Sequence, residues 1–364
     1  MRAASTSYCF TPNEAVYLNG YAKRKGYSTG VHQDLTATLL LLEEKERVAI
    51  ISFDLCGIDQ DFIQRIAHFS NYSVNQLFVC ATHTHASLNE FPQFLSFGQL
   101  SMREVNAEVR NALAKGIGEA LNKLEAELEE VSIFSKVTQA SGLYTNRNDR
   151  DGLVDLSLNL LLFQTADHRN MGCILHFNAH PTVLDAQNTL LSPDFIGTTR
   201  NLMVAQFNCP CLFINGACAD VSTRMTRLNA SIEECERIGT ELYHRVNTKA
   251  SLKKLTPALT LTHAIYTAQT CRYLPKLDMN ISRLDLGDLC LIGFPGEISV
   301  RFSQEIKKLL GEQRVLVCGY TNDYLGYFIH QEDRRDTYEA QCCTLNPDES
   351  IHFIQWLQST LTNL

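Results

Sequence analysis

The chain has 364 residues, 45% of them hydrophobic, which is enough to bury a substantial core. Its formal net charge is only -8, and lysine and arginine are scattered, which argues against a nucleic-acid groove or an anionic-membrane surface. The thirteen cysteines lie mostly in apolar runs and form no Cys-x-x-Cys pair, which favours a reducing compartment. No apolar leader and no spanning run of about 18 residues occurs. We therefore expect a cytoplasmic protein that acts on a small molecule, without stable membrane association.

The first part of the chain alternates strand-like and helical patterns. A glycine- and tyrosine-rich stretch over residues 15–31 predicts an ordered loop with a functional role. Two apolar runs, Leu35–Leu42 and Arg47–Phe53, flank a charged turn and predict a β-hairpin. Helical periodicity covers about Asp59–Phe69, and a strand covers Gln76–Ala81. Strand, helix and strand in succession predict a parallel crossover, with functional residues at the carboxyl ends of strands.

The rest of the chain continues this alternation. A segment near residues 91–100 is predicted to be mobile, and the longest helix is predicted over about Met102–Leu128. Further elements are predicted, in chain order, as strands Val131–Val137, Leu156–Phe163 and Cys173–Asn178, helix Thr189–Gln206, strand Cys211–Asn215, helix Ser231–Asn247, strands Ala258–Thr267, Ser282–Leu286 and Leu289–Phe294, helix Ile298–Leu310 and strand Arg314–Tyr320. We therefore predict an α/β fold of mixed, largely parallel β-sheets flanked by helices, in a single large domain over residues 1–364.

Four predicted strands end in polar side chains that core packing does not explain. These side chains are His83 with His85, His180, Asp220 with Ser222, and Glu297. Two histidines separated by one residue project to the same side of an extended chain. Each group alone is more often a cap or a solvated residue, but strand ends of a parallel sheet converge on one crevice. Histidine and glutamate are ordinary ligands of catalytic zinc, so the pattern favours a metal site.

The chain also resembles a known enzyme family through most of its length. Seven motifs occur in the family's order, namely GYAKRKGYSTGVH (20–32), ATHTH (81–85), Asn146-Arg147, FNAHPTVLDAQNTLLSPDFIG (177–197), GACADVSTR (216–224), Pro295–Glu297, and NDYLGY (322–327) with Tyr338-Glu339-Ala340. They resemble the catalytic domain of the neutral/alkaline (non-lysosomal) ceramidases and together cover roughly residues 17–345. Each motif is weak alone, and seven in order are specific.

The resemblance implies a zinc-dependent amidase and assigns roles to eight residues. The implied ligands of Zn²⁺ are His83, His180, Glu297 and Tyr327. The implied nucleophile is Ser222, and the other implied site residues are His85, Arg147 and Tyr338.

These residue types suit amide hydrolysis. A zinc ion with an open position polarises a carbonyl and activates a nucleophile. Tyr338 or Arg147 could donate to the developing oxyanion, and His85 could move a proton or orient a ligand. A tyrosine ligand is unusual, so Tyr327 could equally be only hydrogen-bonded.

Three departures from the ceramidase pattern bear on the substrate. Residues 86–90 replace a small Ser-Gly-Pro-rich segment, Pro181 stands where the family has Gly-Thr, and Thr223 replaces proline after the serine. We also expect no C-terminal β-sandwich domain and no signal peptide. We therefore expect a zinc-dependent hydrolase of an N-acyl (amide) bond in a molecule smaller or more polar than ceramide.

Two alternatives remain open on the sequence. The protein could use zinc-bound water to attack another ester or amide, in which case Ser222 would be structural. Such an enzyme could hold one metal ion or two, and a second ion would take Asp54, Asp194 or Asp220 as a ligand. It could also be a non-catalytic protein that binds a ligand in a metal-dependent way.

Overall fold

The computed structural model describes residues 1–89, 91, 93–95, 99–101, 106–271, 275–311 and 315–361. The strands in these ranges are, in chain order, β1 Arg2–Cys9, β2 Gly30–Val31, β3 Thr36–Glu43, β4 Arg47–Phe53, β5 Leu77–Ala81, β6 Gln93–Leu95, β7 Gln99–Ser101, β8 Glu129–Glu130, β9 Ser132–Gln139, β10 Thr145–Asn146, β11 Ser157–Gln164, β12 Asn170–Phe177, β13 Leu190–Leu191, β14 Cys211–Asn215, β15 Val221–Ser222, β16 Lys253–Lys254, β17 Thr260–Gln269, β18 Lys276–Leu286, β19 Leu289–Gly293, β20 Glu297–Ile298, β21 Val315–Cys318 and β22 Tyr327–Phe328. The α-helices are α1 Gln60–Phe69, α2 Ala107–Leu124, α3 Phe195–Phe207, α4 Ile232–Val246, α5 Val300–Leu310, α6 Tyr338–Cys342 and α7 Glu349–Leu361, and 3₁₀ turns lie at Val74–Gln76 and Glu125–Glu127.

Most predicted elements are confirmed, with a few differences. The long helix spans Ala107–Leu124, shorter than predicted, and positions 102–105 lie outside the described residues, as does part of the segment near 91–100. Strand β1 and helix α7 were not predicted, because their sequences mix polar and apolar residues without a clear period. Ser231, the first residue of a predicted helix, caps α4, since its hydroxyl accepts from the amide of Glu234 at 3.3 Å.

Three larger sheets carry the fold, and the prediction of largely parallel sheets is wrong. Their strand orders are β5-β4-β3-β1-β8, β14-β12-β11-β9-β16 and β17-β18-β19-β21. Each sheet contains one parallel pair, β4–β5, β12–β14 or β19–β21, and its other pairs are antiparallel. Short connections such as that between β3 and β4 allow only antiparallel neighbours, whereas α1 gives β4 and β5 room for a crossover. The mixed α/β architecture flanked by helices is confirmed.

The first sheet is buried on both faces, which explains the continuous apolar run of β3. Leu39 and Leu41 lie in the same apolar cluster as side chains of helices α1 and α2. Leu40 and Leu42 lie in a second cluster with residues of the other two sheets. Alternate residues of one strand therefore supply two separate cores.

The parallel pairs lie at sheet edges, and their carboxyl ends meet. The amide of Gly319, after β21, donates to the carbonyl of Asn215 at the end of β14 (2.9 Å). The amide of Ala81, at the end of β5, donates to the carbonyl of Tyr320 (3.1 Å). The side-chain amide of Asn215 donates to the carbonyl of Thr82 at 3.1 Å. Three sheets are thus joined where their strand-end loops begin. No helix in the described ranges combines the length and apolar character that crossing a bilayer requires.

We predict that a buried ion pair between α3 and the first sheet is important for stability. Arg200 donates to both carboxylate oxygens of Asp54, at 2.9 and 2.7 Å, and both side chains are buried. Arg200→Met should lower the free energy of unfolding by about 3–5 kcal/mol, because it leaves a buried carboxylate without its cation. Urea unfolding measures this. Arg169→Met breaks the exposed pair with Glu129 and should cost less than about 1 kcal/mol; equal losses in the two variants would contradict the prediction.

A second prediction concerns His176 in β12. One ring nitrogen, Nε2, lies 2.9 Å from the carbonyl of Val317, and burial lowers the pKa of the ring to about 4. Because the unfolded ring has a pKa near 6.5, the unfolded state binds more protons between pH 6.5 and 4. The stability from neutral His176 is complete above about pH 6.5 and is lost as pH falls towards 4, up to about 3 kcal/mol.

We therefore expect His176→Gln to unfold with a shallower loss of stability between pH 6.5 and 4 than the parent chain. Urea titrations at pH steps across this range give the comparison. Parallel pH curves for the two proteins would exclude this role of the ring.

Candidate active site

Three buried side chains, each following a strand of a different one of the three joined sheets, meet at the strand ends. His83 follows β5, His180 follows β12, and Glu297 begins β20 just after β19. One ligand atom from each lies within 4.8 Å of the other two. Glu297 Oε2 is 3.0 Å from His180 Nε2 and 3.6 Å from His83 Nε2. The sequence placed each of these residues at a different strand end, and their convergence was predicted from that pattern.

The hydrogen bonds of the two imidazoles decide which nitrogens face the carboxylate. His83 Nδ1 lies 2.6 Å from the carbonyl oxygen of Cys56, and His180 Nδ1 lies 2.5 Å from that of Cys218. A carbonyl oxygen can only accept, so each Nδ1 carries the hydrogen. Each Nε2 then presents a lone pair towards Glu297, as in histidines oriented for a metal ion.

The electrostatics of the cluster also suit a cation. Burial lowers the pKa of His83 to about 4, so this ring is neutral at pH 7. Burial alone raises the pKa of Glu297, but the neighbouring imidazoles and the Tyr324 hydroxyl outweigh it and lower this pKa to about 2. Two nitrogen lone pairs and an ionised carboxylate oxygen therefore face one another. A cation between them would relieve their repulsion, so the donor set fits a divalent metal ion.

Two tyrosines surround the carboxylate, and the sequence analysis did not single them out. Tyr324 donates its hydroxyl to Glu297 Oε1 at 2.5 Å, and the hydroxyl of Tyr320 lies 3.5 Å from Oε2. The Tyr320 ring stacks on the His83 ring with centroids 4.1 Å apart. Tyr324 lies inside the NDYLGY motif, but a sequence pattern does not distinguish it from Tyr327 three residues later.

The backbone at two of these positions is strained. His83 has φ +69° and Tyr320 has φ +54°, in the left-handed region that residues other than glycine rarely adopt. The inter-strand bonds of Ala81 and Gly319 hold the backbone just before each of the two stacked residues. Strain of this kind persists where the surrounding structure determines the backbone, and it is concentrated at functional sites.

His85 lies beside the cluster, against the loop of residues 15–31. Its Nε2 is 3.1 Å from His83 Nε2, and its Nδ1 is buried without a hydrogen-bond partner among the described residues. Arg24 donates to the His85 carbonyl at 2.5 Å, and the Tyr21 ring meets the imidazole edge-on at 4.8 Å. Gly20 has φ +93°, and a Cβ there would lie 2.4 Å from His85 Cβ. The glycine-rich loop therefore forms the wall behind His85.

Arg147 connects the cluster to Tyr327 and Tyr338. Its Nε donates to buried Glu339, and its Nη1 and Nη2 lie 3.5 Å from His180 Nε2 and 3.4 Å from the Tyr327 hydroxyl. Its guanidinium lies 5.8 Å from the ring centres of both tyrosines. Tyr327 pairs with Glu297 through the β20–β22 backbone, whereas Tyr338 begins α6 and is 45% exposed. Metal ligation by Tyr327 and the role of Tyr338 stay predictions.

Ser222 is joined to the site through the backbone. It lies in β15, pairs with Thr145 of β10, and forms a parallel bridge to His180. It is buried, and its Oγ accepts from the amide of Arg224 at 3.2 Å. The serine is therefore held next to a cluster residue, and its nucleophilic role stays a prediction.

The three aspartates considered as ligands of a second metal have other contacts. Asp54 is paired with Arg200, and Asp194 accepts from the amides of Val183, Leu184 and Phe195 at the start of α3. Asp220 accepts from Asn146 Nδ2 and the amide of Val300. None of the described groups with metal-ligand spacing includes these aspartates. The two-metal alternative therefore has no support in their positions.

Two other described groups have ligand spacing. One is Cys56–His83–His85, and burial raises the pKa of the Cys56 thiol well above its usual value, so it is a weaker ligand than Glu297. The other is Asp348–Glu349–His352, whose first and last members are exposed.

Comparison with known proteins decides the family. The sequence model of the family described as "Neutral/alkaline non-lysosomal ceramidase, N-terminal" matches residues 9–210. The chain belongs to this family.

The relatives of this ceramidase-family chain are distant in sequence. It is 24% identical over 200 residues to a neutral ceramidase of Pseudomonas aeruginosa, covering 49% of the chain and 30% of the relative. It is 22% identical over 218 residues to a neutral ceramidase of Drosophila pseudoobscura pseudoobscura, covering 54% of the chain and 31% of the relative. The matches thus span about a third of the length of these curated relatives.

Solved structures show the same ceramidase fold over nearly the whole chain. The crystal structure of neutral ceramidase from Pseudomonas aeruginosa matches with a TM-score of 0.82 and 16% identity, covering 98% of this chain and 73% of that one. A structure described as ceramidase complexed with C2 matches with a TM-score of 0.80 and 17% identity, covering 98% and 74%.

We predict that the ceramidase-family chain binds about one divalent ion per molecule through the His83–His180–Glu297 cluster. His83→Ala, His180→Ala and Glu297→Gln should each weaken the affinity for the ion by more than about a hundredfold, since each removes a donor. Elemental analysis and chelator competition measure this. The matched control is His176→Gln, which changes another buried histidine four residues before His180. Loss of metal in the control alone would refute the assignment.

Proposed function

We propose that the protein is a zinc-dependent hydrolase that cleaves the amide bond of an N-acyl compound. The observation that carries this proposal is the buried cluster of His83, His180 and Glu297, which presents two nitrogen donors and one oxygen donor. Three protein ligands of these types are usual for catalytic zinc, which keeps a position for substrate or solvent. Membership of the ceramidase family supports amide hydrolysis as the reaction.

The chain's own residues have separate tasks in this proposal. A zinc ion bound by the cluster would act as a Lewis acid on the scissile carbonyl and acidify the nucleophile beside it. Ser222 would attack the acyl carbon, and His85 would take the proton of its hydroxyl and return one to the leaving amine. Burial keeps the pKa of His85 well below its usual value, so the ring is neutral and can accept a proton.

Arg147 and Tyr338 would stabilise the transition state. The guanidinium is fixed by Glu339 and Tyr327 and reaches the edge of the His180 ring, so its orientation is set before the substrate binds. Donors held in place in a buried site are the usual means of stabilising a developing oxyanion. Exposed Tyr338 lies between this buried region and solvent, where a phenol can meet the incoming amide.

The surroundings of Arg147 favour a substrate more polar than ceramide. A cavity of about 150 Å³ adjoins the Arg147–Glu339 pair. Most of its lining residues have polar side chains, among them Asn146, Asn148, Asp149, Arg301, Arg334 and Glu339. A polar amine or a polar acyl group could form hydrogen bonds with these side chains. The relatives are named neutral ceramidases, and this chain would share their chemistry with a different substrate.

The test of substrate class is a screen of N-acyl compounds with different acyl lengths and amine groups. We expect metal-dependent release of free amine, faster for short or polar compounds than for long-chain ceramide. Preference for long-chain ceramide would contradict the substrate part of the proposal. Metal-dependent binding of these compounds without cleavage of any of them would favour a binding protein instead.

The test of the nucleophile is Ser222→Ala. If Ser222 attacks the acyl carbon, the variant should lose at least about a thousandfold in kcat while keeping its metal. Mass spectrometry of the parent protein mixed rapidly with substrate should then find the acyl group on the peptide that contains Ser222.

The matched control is Ser52→Ala, which removes a buried hydroxyl that donates to the carbonyl of Phe213 in the sheet. It should keep kcat near the parent value. Near-normal turnover in Ser222→Ala would instead assign the attack to a water molecule.

A further inference from the structure

The two oxygens of Glu297 have different partners. Oε1 accepts a hydrogen bond of 2.5 Å from the Tyr324 hydroxyl. Oε2 faces His180 Nε2 at 3.0 Å and His83 Nε2 at 3.6 Å. The phenol therefore occupies one oxygen and leaves the other for the ion.

The number of Glu297 oxygens that are available to a metal ion affects which cation the site accepts. Larger oxygen-binding cations take six or more ligands and commonly bind both oxygens of one carboxylate, whereas zinc is satisfied by four ligands and one carboxylate oxygen. We propose that Tyr324 is the positioning residue that sets the metal selectivity of the site, because its hydroxyl holds Glu297 as a single-oxygen donor. This inference rests on the metal centre of the proposed function.

The backbone fixes the hydroxyl relative to the carboxylate. The amide of Leu325 donates to the carbonyl of Pro295 at 2.8 Å, and the amide of Glu297 donates to the carbonyl of Gly326 at 2.8 Å. The two residues that follow Tyr324 are thus tied to the segment that contains Glu297. The Tyr324 ring is buried and lies nearly parallel to the Tyr320 ring, with centroids 6.2 Å apart. Burial and ring packing therefore hold the Tyr324 side chain in the orientation in which its hydroxyl contacts Glu297.

Tyr320 provides a comparison within the same site. Its hydroxyl is 3.5 Å from Glu297 Oε2 and has a second partner in the Cys218 thiol at 3.1 Å. The Tyr320 hydroxyl thus contacts Oε2 and not Oε1, the oxygen that Tyr324 contacts. Removal of the Tyr320 hydroxyl therefore disturbs the same surroundings while Tyr324 still covers Oε1.

The experiment compares the affinities for Zn²⁺ and Mn²⁺ in metal-free parent protein and in Tyr324→Phe, by competition with chelators of known affinity. We expect zinc to bind about ten- to a hundredfold more weakly in the variant, the usual effect of losing a hydrogen bond to a metal ligand. Manganese should lose much less, because the freed Oε1 becomes available to it. The ratio of zinc to manganese affinity should fall by at least about tenfold. This ratio does not depend on the fraction of folded protein.

Two controls separate selectivity from general damage. Tyr320→Phe removes a hydroxyl at the same carboxylate, and Tyr266→Phe removes one that donates to buried Glu349 elsewhere. Both should keep the parent's affinity ratio. The proposal for Tyr324 is overturned if its variant keeps that ratio, or if Tyr320→Phe changes the ratio as much. A parent protein that binds neither ion would overturn the metal centre of the proposed function, and this inference with it.

Discussion

The rest of the site depends on one buried carboxylate facing two imidazole lone pairs. An ionised group without contact to water is costly unless hydrogen bonds and an opposite charge compensate it. Glu297 accepts from a phenol on one oxygen, and its other oxygen faces the Nε2 atoms of two imidazoles whose Nδ1 atoms are bonded to carbonyl oxygens. A bound cation would compensate the negative charge of Glu297, so both the geometry of the cluster and its donor atoms favour a cation there.

The fold delivers these groups through the ends of three parallel pairs in otherwise antiparallel sheets. Backbone bonds between β5, β14 and β21 join the sheets just before the loops that carry His83 and Tyr320 begin. Because these bonds fix the start of each loop, the backbone can hold His83 in a left-handed conformation that a freer loop would relax. Rigid strands thereby position side chains that come from distant parts of the sequence.

The residues around the cluster are also held in fixed positions. Arg24 and Gly20 hold the loop behind His85, while Glu339 holds Arg147 against the tyrosines on the other side. The fold is shared with a ceramidase structure at 16% identity, so it tolerates wide substitution. The proposed substrate preference therefore rests on local features, such as the polar side chains that line the cavity beside Glu339.

The sequence alone determined the α/β elements, the histidine pair at a strand end, and the order of motifs typical of the ceramidase family, because periodicity and motifs are local properties. Only the tertiary structure decided that His83, His180 and Glu297 meet, since contacts across about a hundred residues or more leave no periodic signal. It also decided that Tyr324 covers Oε1 of Glu297 and that Asp54 pairs with Arg200. The antiparallel majority in the sheets escaped prediction for the same reason, because strand pairing depends on which connections fold back on themselves.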